Sequence, residues 1–349
     1  MRRAGVPSRS SCCPPVTPGW NVRAGFVVLG YVSARTHRRS AGLALVAAFA
    51  LGLAGCGTPG PSHRVASERT GKGHVSPVDA DLDGPDAGVA IDPAYFSPDA
   101  CVAFPPTSGN RHLTVFLDAG HGGLDPGAVG STRSGRVIYE ADETLPVVLD
   151  TMAILRRSGF RVVVSRTGPT TVLRLRPRDV SGRLLTVTGA HDDVAARDVC
   201  ANMAHANVLV GVYFNAGDGA ANAGCITAYD TVRPFAAQNR RLAGLVQADV
   251  LGAMNARGWQ IPDAGVQTDQ GLGSSLTAAS NAYGHLMLLG PAKKGYFTTP
   301  STMPGALVEP LFITDPFEGS IAASRAGQRV IASGLARAVE QYFASPHAS

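Results

Sequence analysis

His121 stands in the run Asp118-Ala119-Gly120-His121-Gly122-Gly123-Leu124-Asp125-Pro126-Gly127-Ala128, directly after the apolar stretch Leu113 to Leu117. Glycines strip neighbouring side chains away and let the chain turn sharply, so the imidazole is displayed at the end of a strand and not packed under it. Glu309 ends a second apolar run, Pro304-Gly305-Ala306-Leu307-Val308-Glu309. A carboxylate at the end of a buried strand is costly unless it belongs to a site or is bonded to something. An imidazole and a carboxylate brought together at strand ends can bind metal or move protons.

The elements that position them read as strands alternating with helices. Short apolar runs predict strands at Leu113 to Leu117, Arg161 to Ser165, Val208 to Tyr213, Cys225 to Tyr229, His285 to Leu289 and Ala306 to Glu309. Helical spacing joins Leu145, Val148, Met152 and Leu155, then Leu242, Val246 and Val250, then Ile331, Leu335 and Val339. This order predicts a single α/β domain over residues 105–345, with a twisted, mostly parallel or mixed sheet covered by helices on both faces. Thr167 to Asp192 and Gly258 to Asn281 are too long for plain turns and are expected to serve a site.

Several motifs in one order, across roughly residues 112 to 343, resemble the zinc-dependent N-acetylmuramoyl-L-alanine amidases, which cut the amide joining muramic acid to the stem peptide of peptidoglycan. The glycine-rich run matches that family's first metal-ligand motif, which implies His121 as a ligand. Glu140, ahead of a helix that leads to a strand ended by Ser165-Arg166, is the implied second ligand. The segment Arg197 to Ala216 (RDVCANMAHANVLVGVYFNA) matches the stretch bearing the third, and in that register the ligand position falls on Tyr213. Phenolate ligation of zinc is uncommon. Three outcomes follow: His285 completes the site as a substitute ligand, or His121 and Glu140 hold zinc with Tyr213 or water filling the gap, or catalysis is lost and binding kept. Glu309 falls on the family's catalytic acid/base, although Pro310, Leu311 and Asp315 depart from its pattern.

The resemblance therefore implies a peptidoglycan amidase in which zinc activates water and Glu309 moves the proton; the rival is an inactive amidase-fold lipoprotein that binds peptidoglycan or regulates wall hydrolysis. A serine hydrolase is disfavoured by the absence of a G-x-S-x-G elbow, and a nucleotide site by the absence of P-loop or G-x-G-x-x-G spacing.

The front of the chain is of another kind. Arg35 to Arg39, the apolar Ala41 to Leu53, and Leu53-Ala54-Gly55-Cys56 have the order of a signal peptide over 35–55, ending in a tetrapeptide that resembles a bacterial lipobox with Cys56 as the lipidated residue. Residues 1–34 are expected to be a surplus unstructured extension and 56–104 a flexible linker, rich in Gly, Pro, Ser and Asp. The expected place is the outer face of the cell membrane, held by the lipid and facing the wall.

The chain of 349 residues carries a formal charge of +5, but residues 1 to 55 hold seven of its 31 basic residues and no acid. Without them, 24 basic residues face 26 acidic ones, so nucleic-acid binding has no compositional support. A monomer is expected. With Cys12 and Cys13 in the leader and Cys56 acylated, Cys101, Cys200 and Cys225 allow one bridge; Cys200 and Cys225 flank one predicted strand and are the candidate pair.

Overall fold

A computed structural model describes residues 87–217, 219, 222–273 and 277–345. The extension 1–34, the signal peptide 35–55, Cys56 and the linker as far as residue 86 lie outside the described residues. Among the described residues, no helix is long and apolar enough to cross a membrane.

The strands are β1 Val89–Ala90, β2 Ala100–Phe104, β3 Thr114–Ala119, β4 Val129–Ser131, β5 Val137–Tyr139, β6 Arg161–Arg166, β7 Val180–Ser181, β8 Leu184–Leu185, β9 Val208–Val212, β10 Cys225–Tyr229, β11 Asp263–Thr268 and β12 Gly305–Glu309. The helices are α1 Glu140–Arg157, α2 Val187–Met203, α3 Ala236–Asn255, α4 Ala278–Tyr283, α5 Pro316–Ala322 and α6 Arg325–Ala344. Eight strands form one mixed sheet in the order β1-β2-β6-β3-β9-β12-β10-β11, while β4–β5 and β7–β8 are separate hairpins. The α/β class is as the alternating pattern implies.

Each face of the sheet buries its own apolar layer. On one, Leu145, Val148, Met152 and Leu155 of α1, Leu242, Val246 and Val250 of α3, and Ile331, Leu335 and Val339 of α6 meet Val115, Leu117, Val210 and Val308. On the other, Ala196, Cys200 and Ala201 of α2 and the segment Leu286–Leu289 meet Phe116, Val163, Leu209 and Leu307. Alternate strand residues thus serve opposite faces.

Four findings depart from expectation. The folded region starts ahead of residue 105: β2 is buried throughout, pairs with β6 and brings Phe104 into the core, and Phe96, ahead of β2 and bridged to Leu173, is buried as well. The disulfide joins Cys101 to Cys200, and Cys225 is a buried free thiol. Cys200 and Cys225 cannot meet, because Cys200 packs in the layer on one side of the sheet and Cys225 in the layer on the other. His285 to Leu289 is not a strand: Gly284 ends α4 in the left-handed region, φ +72°, and Leu286, Leu288 and Leu289 are apolar because they lie on the sheet face. Conversely β11, inside the expected long loop, is an edge strand parallel to β10 whose side chains are mostly exposed, so it carries no apolar run to reveal it.

Candidate active site

β3, β9 and β12 run parallel, so their carboxyl ends deliver His121, Tyr213 and Glu309 to one end of the sheet. Together with Glu140 these residues line a 570 Å³ cavity that extends across the sheet face to His285 and Leu288. His121, Glu140, Tyr213 and Glu309 are therefore brought together as the motifs imply.

His121 itself adopts φ +60°, a conformation seldom taken by a residue with a Cβ. Two buried arginines hold the turn. Arg197 Nη2 donates to the His121 carbonyl at 2.9 Å and Nη1 to the Ala119 carbonyl at 2.8 Å, with Asp118 and Asp193 as its carboxylate partners. Arg166 donates to the carbonyls of Ala119, Gly120 and Ala141. Gly127, at φ +68°, leaves the room that the site needs, since a Cβ there would stand 2.7 Å from His121 Cδ2 and 2.8 Å from a Glu140 oxygen.

The imidazole lies between two carboxylates, with Nδ1 2.8 Å from Asp125 and Nε2 3.1 Å from Glu140 Oε2. Burial alone would lower the His121 pKa, but Glu140 and Asp125 outweigh it and hold it up at about 10. Glu140 is the first residue of α1; its two oxygens accept the backbone N–H of Ala128 and of Phe214, each at 2.9 Å. Glu309 is buried, and burial followed by the Glu140 charge pushes its carboxyl up to about 8, against the opposing effects of His121 and a hydrogen bond with Asn215.

Tyr213 is not placed as a ligand. Its hydroxyl donates to Asp118 Oδ2 at 2.9 Å, and burial beside Asp118 raises its pKa well above the usual phenol range. The ring meets the His121 ring edge-on at 5.4 Å. Nor does His285 substitute: Nδ1 faces Asp230 Oδ2 at 3.0 Å and Asp269 Oδ2 at 3.2 Å. β10 runs antiparallel to β12 with Ile226 opposite Glu309. Asp230, four residues on, is thus roughly 13 Å along the sheet from Glu309, at the other end.

Sequence reasoning missed Asp125, Asp118, Asn215 and the two arginine clamps as parts of the site. Asp118 and Asp125 were in view, three residues before and four after His121 inside the same motif; Asn215 and the two arginines are separated in sequence and met only through the fold.

Comparison with known proteins accords with this geometry. Residues 115–341, which include His121, Glu140, Tyr213 and Glu309, match the N-acetylmuramoyl-L-alanine amidase family. The chain is 24% identical over 229 residues to the germination-specific N-acetylmuramoyl-L-alanine amidase of Bacillus subtilis (strain 168), covering 66% of this chain and 79% of that one. Its fold is similar to that of the CwlD amidase from Clostridioides difficile, solved in complex with the GerS lipoprotein, with TM-score 0.50 and 19% identity over 66% of this chain and 98% of that chain. A second similar structure, the N-acetylmuramoyl-L-alanine amidase from Clostridium difficile 630, has TM-score 0.46 and 26% identity over 67% of this chain and 97% of that chain. Since the matched segment is most of the chain and spans the strand before His121, the strand ending in Glu309 and nearly all of α6, the protein belongs to the N-acetylmuramoyl-L-alanine amidase family of hydrolases.

Proposed function

We propose that this protein is a peptidoglycan hydrolase that cleaves the amide between N-acetylmuramic acid and the L-alanine of the stem peptide. Glu309 carries the reading: a buried carboxyl held at about 8, at the end of a cavity that His121 and Glu140 also line. Amides resist hydrolysis because the nitrogen lone pair stabilises the carbonyl and an unprotonated amine leaves poorly. A carboxyl whose pKa lies near neutrality can take a proton from attacking water and return it to the departing nitrogen. Asn215 orients Glu309, and His121, kept positive by Asp125 and Glu140, supplies charge that favours a developing oxyanion.

The family reading implies zinc on His121, Glu140 and a third donor. A catalytic zinc takes three protein ligands. Here two donors converge, and the third position is a protonated phenol engaged with Asp118. The residues do not fit that centre, so the proton chemistry above uses side chains only. The same hydrogen bond favours the second reading, an amidase fold that binds peptidoglycan without hydrolysing it. Incubating the protein with a muramyl-peptide separates the two: release of a new L-alanine amino terminus, abolished in Glu309→Gln, supports the hydrolase, whereas retention of intact muropeptide without release supports the binder.

The proposal takes the protein to be exported as a monomer, with the signal peptide at 35–55, a lipid on Cys56 and a tether up to the start of β1.

A further inference from the structure

We propose that Asp230, Asp269 and His285 bind a zinc ion at the end of the sheet opposite Glu309, where the ion fixes one wall of the cavity. The site is built by register. β10 and β11 are parallel neighbours with Tyr229 paired to Thr268, so the next residue of each strand, Asp230 and Asp269, leaves the sheet side by side. The Asp269 N–H donates to the Tyr229 carbonyl at 2.9 Å and fixes that exit. Gly284 closes α4 and accepts from the Gly271 N–H at 2.8 Å, which brings His285 over the two carboxylates.

Both carboxylates are fully buried, and one ligand atom from each of the three residues lies within 4.8 Å of the others. Counting protons shows what is missing. His285 Nδ1 offers at most one N–H, and it faces the Asp269 oxygens at 3.2 and 3.3 Å. Asp230 Oδ1 accepts the N–H groups of Val232 and Arg233 at 2.7 and 2.8 Å, which locks the carboxylate. Its other oxygen, Oδ2, points inward, 3.0 Å from Nδ1, buried and with no hydrogen-bond partner. A carboxylate oxygen without a hydrogen bond in a dry interior is costly, and a second carboxylate beside it leaves one ring nitrogen to serve both acids.

A divalent cation in place of that one proton resolves the count. Nδ1 and one oxygen from each aspartate become ligands, and water takes an open position. Donors around a tetrahedral zinc with bonds of about 2.0–2.1 Å stand about 3.3 Å apart, and Nδ1 lies 3.0 to 3.3 Å from the carboxylate oxygens. The imidazole selects zinc over magnesium or calcium, which prefer oxygen alone. The ion would bear on the cavity because His285, Leu286 and Leu288 form part of its wall, with the Leu286 N–H donating to Asp269 Oδ2 at 3.2 Å. None of this depends on amide hydrolysis.

The test is the metal content of the purified full chain, stripped and then equilibrated with zinc, with magnesium as the hard-cation control. One zinc per chain is expected in the wild type and in His121→Ala. Asp230→Asn, Asp269→Asn and His285→Gln should each weaken zinc at least tenfold, while circular dichroism shows which variants remain folded. Cobalt substitution gives a second readout, a tetrahedral d–d absorption present in the wild type and absent in any folded variant of the three. No zinc in the wild type, or zinc lost in His121→Ala and kept in Asp230→Asn, overturns the proposal.

Discussion

At the scale of the residue, the proton on Glu309 bears on stability as well as on the proposed chemistry. Its carboxyl is raised from 4.5 to about 8 in the fold, so between those values the native chain holds a proton that the unfolded chain has released. Stability attributable to this group therefore falls as pH rises through that window, by on the order of 5 kcal/mol as an upper estimate. Glu309→Gln removes the dependence: its melting temperature should exceed that of the wild type at pH 9 and match it near pH 5, while hydrolysis is lost. In the wild type kcat/KM should climb with pH up to about 8, as the base form of Glu309 accumulates. Tyr213→His replaces a phenol that must lose its proton by an imidazole that binds metal without doing so. That variant should gain zinc at His121 and Glu140 and hydrolyse faster, read by metal content and amine release; unchanged zinc content would show that Asp118 and the ring packing, not the ligand type, set the limit. His121 and Glu309 were legible in the sequence as chemistry at the ends of apolar runs, and Glu140 through the family resemblance. The hydrogen bond that diverts Tyr213 was not, since Asp118 lies 95 residues away and meets it only across adjacent strands.

At the scale of the element, patterns that depend on burial were readable and patterns that depend on pairing were not. The helical faces of α1, α3 and α6 fall on the spacings that the apolar residues mark, and β10 begins and ends at Cys225 and Tyr229. β11 was hidden by its exposed edge, and Leu286 to Leu289 resembled a strand because burial against the sheet needs the same residues as burial within it. Cysteine spacing misled for a related reason: position along the chain does not say on which face of a sheet a thiol stands. The observed bridge spans a separation of 99 residues, and its removal in Cys101→Ala with Cys200→Ala should cost about 2–5 kcal/mol, seen as a lower urea midpoint. Cys225, whose thiol burial pushes far up, should resist alkylation until the protein unfolds. Arg197→Met should cost about 3–5 kcal/mol, because it leaves Asp118 and Asp193 buried without their cation.

At the scale of the whole molecule, the first 55 residues carry the excess positive charge and the remainder is close to neutral. Labelling with a fatty-acid analogue should tag the wild type and spare Cys56→Ala; equal labelling would remove the lipid anchor from the account. The place where any such tether enters the fold matters mechanically. Tension arriving at Val89 meets the β1–β2 pair, the bond from the Ser97 N–H to the Val172 carbonyl and the buried Phe96 before it reaches Cys101. There the covalent bond to Cys200 diverts the load into α2, ahead of the hydrogen bonds that would otherwise unzip β2 from β6. α2 is also the helix whose Arg197 grips the His121 carbonyl. Load entering at Cys101 is therefore shared through the disulfide with the helix that holds the His121 turn at the end of the cavity.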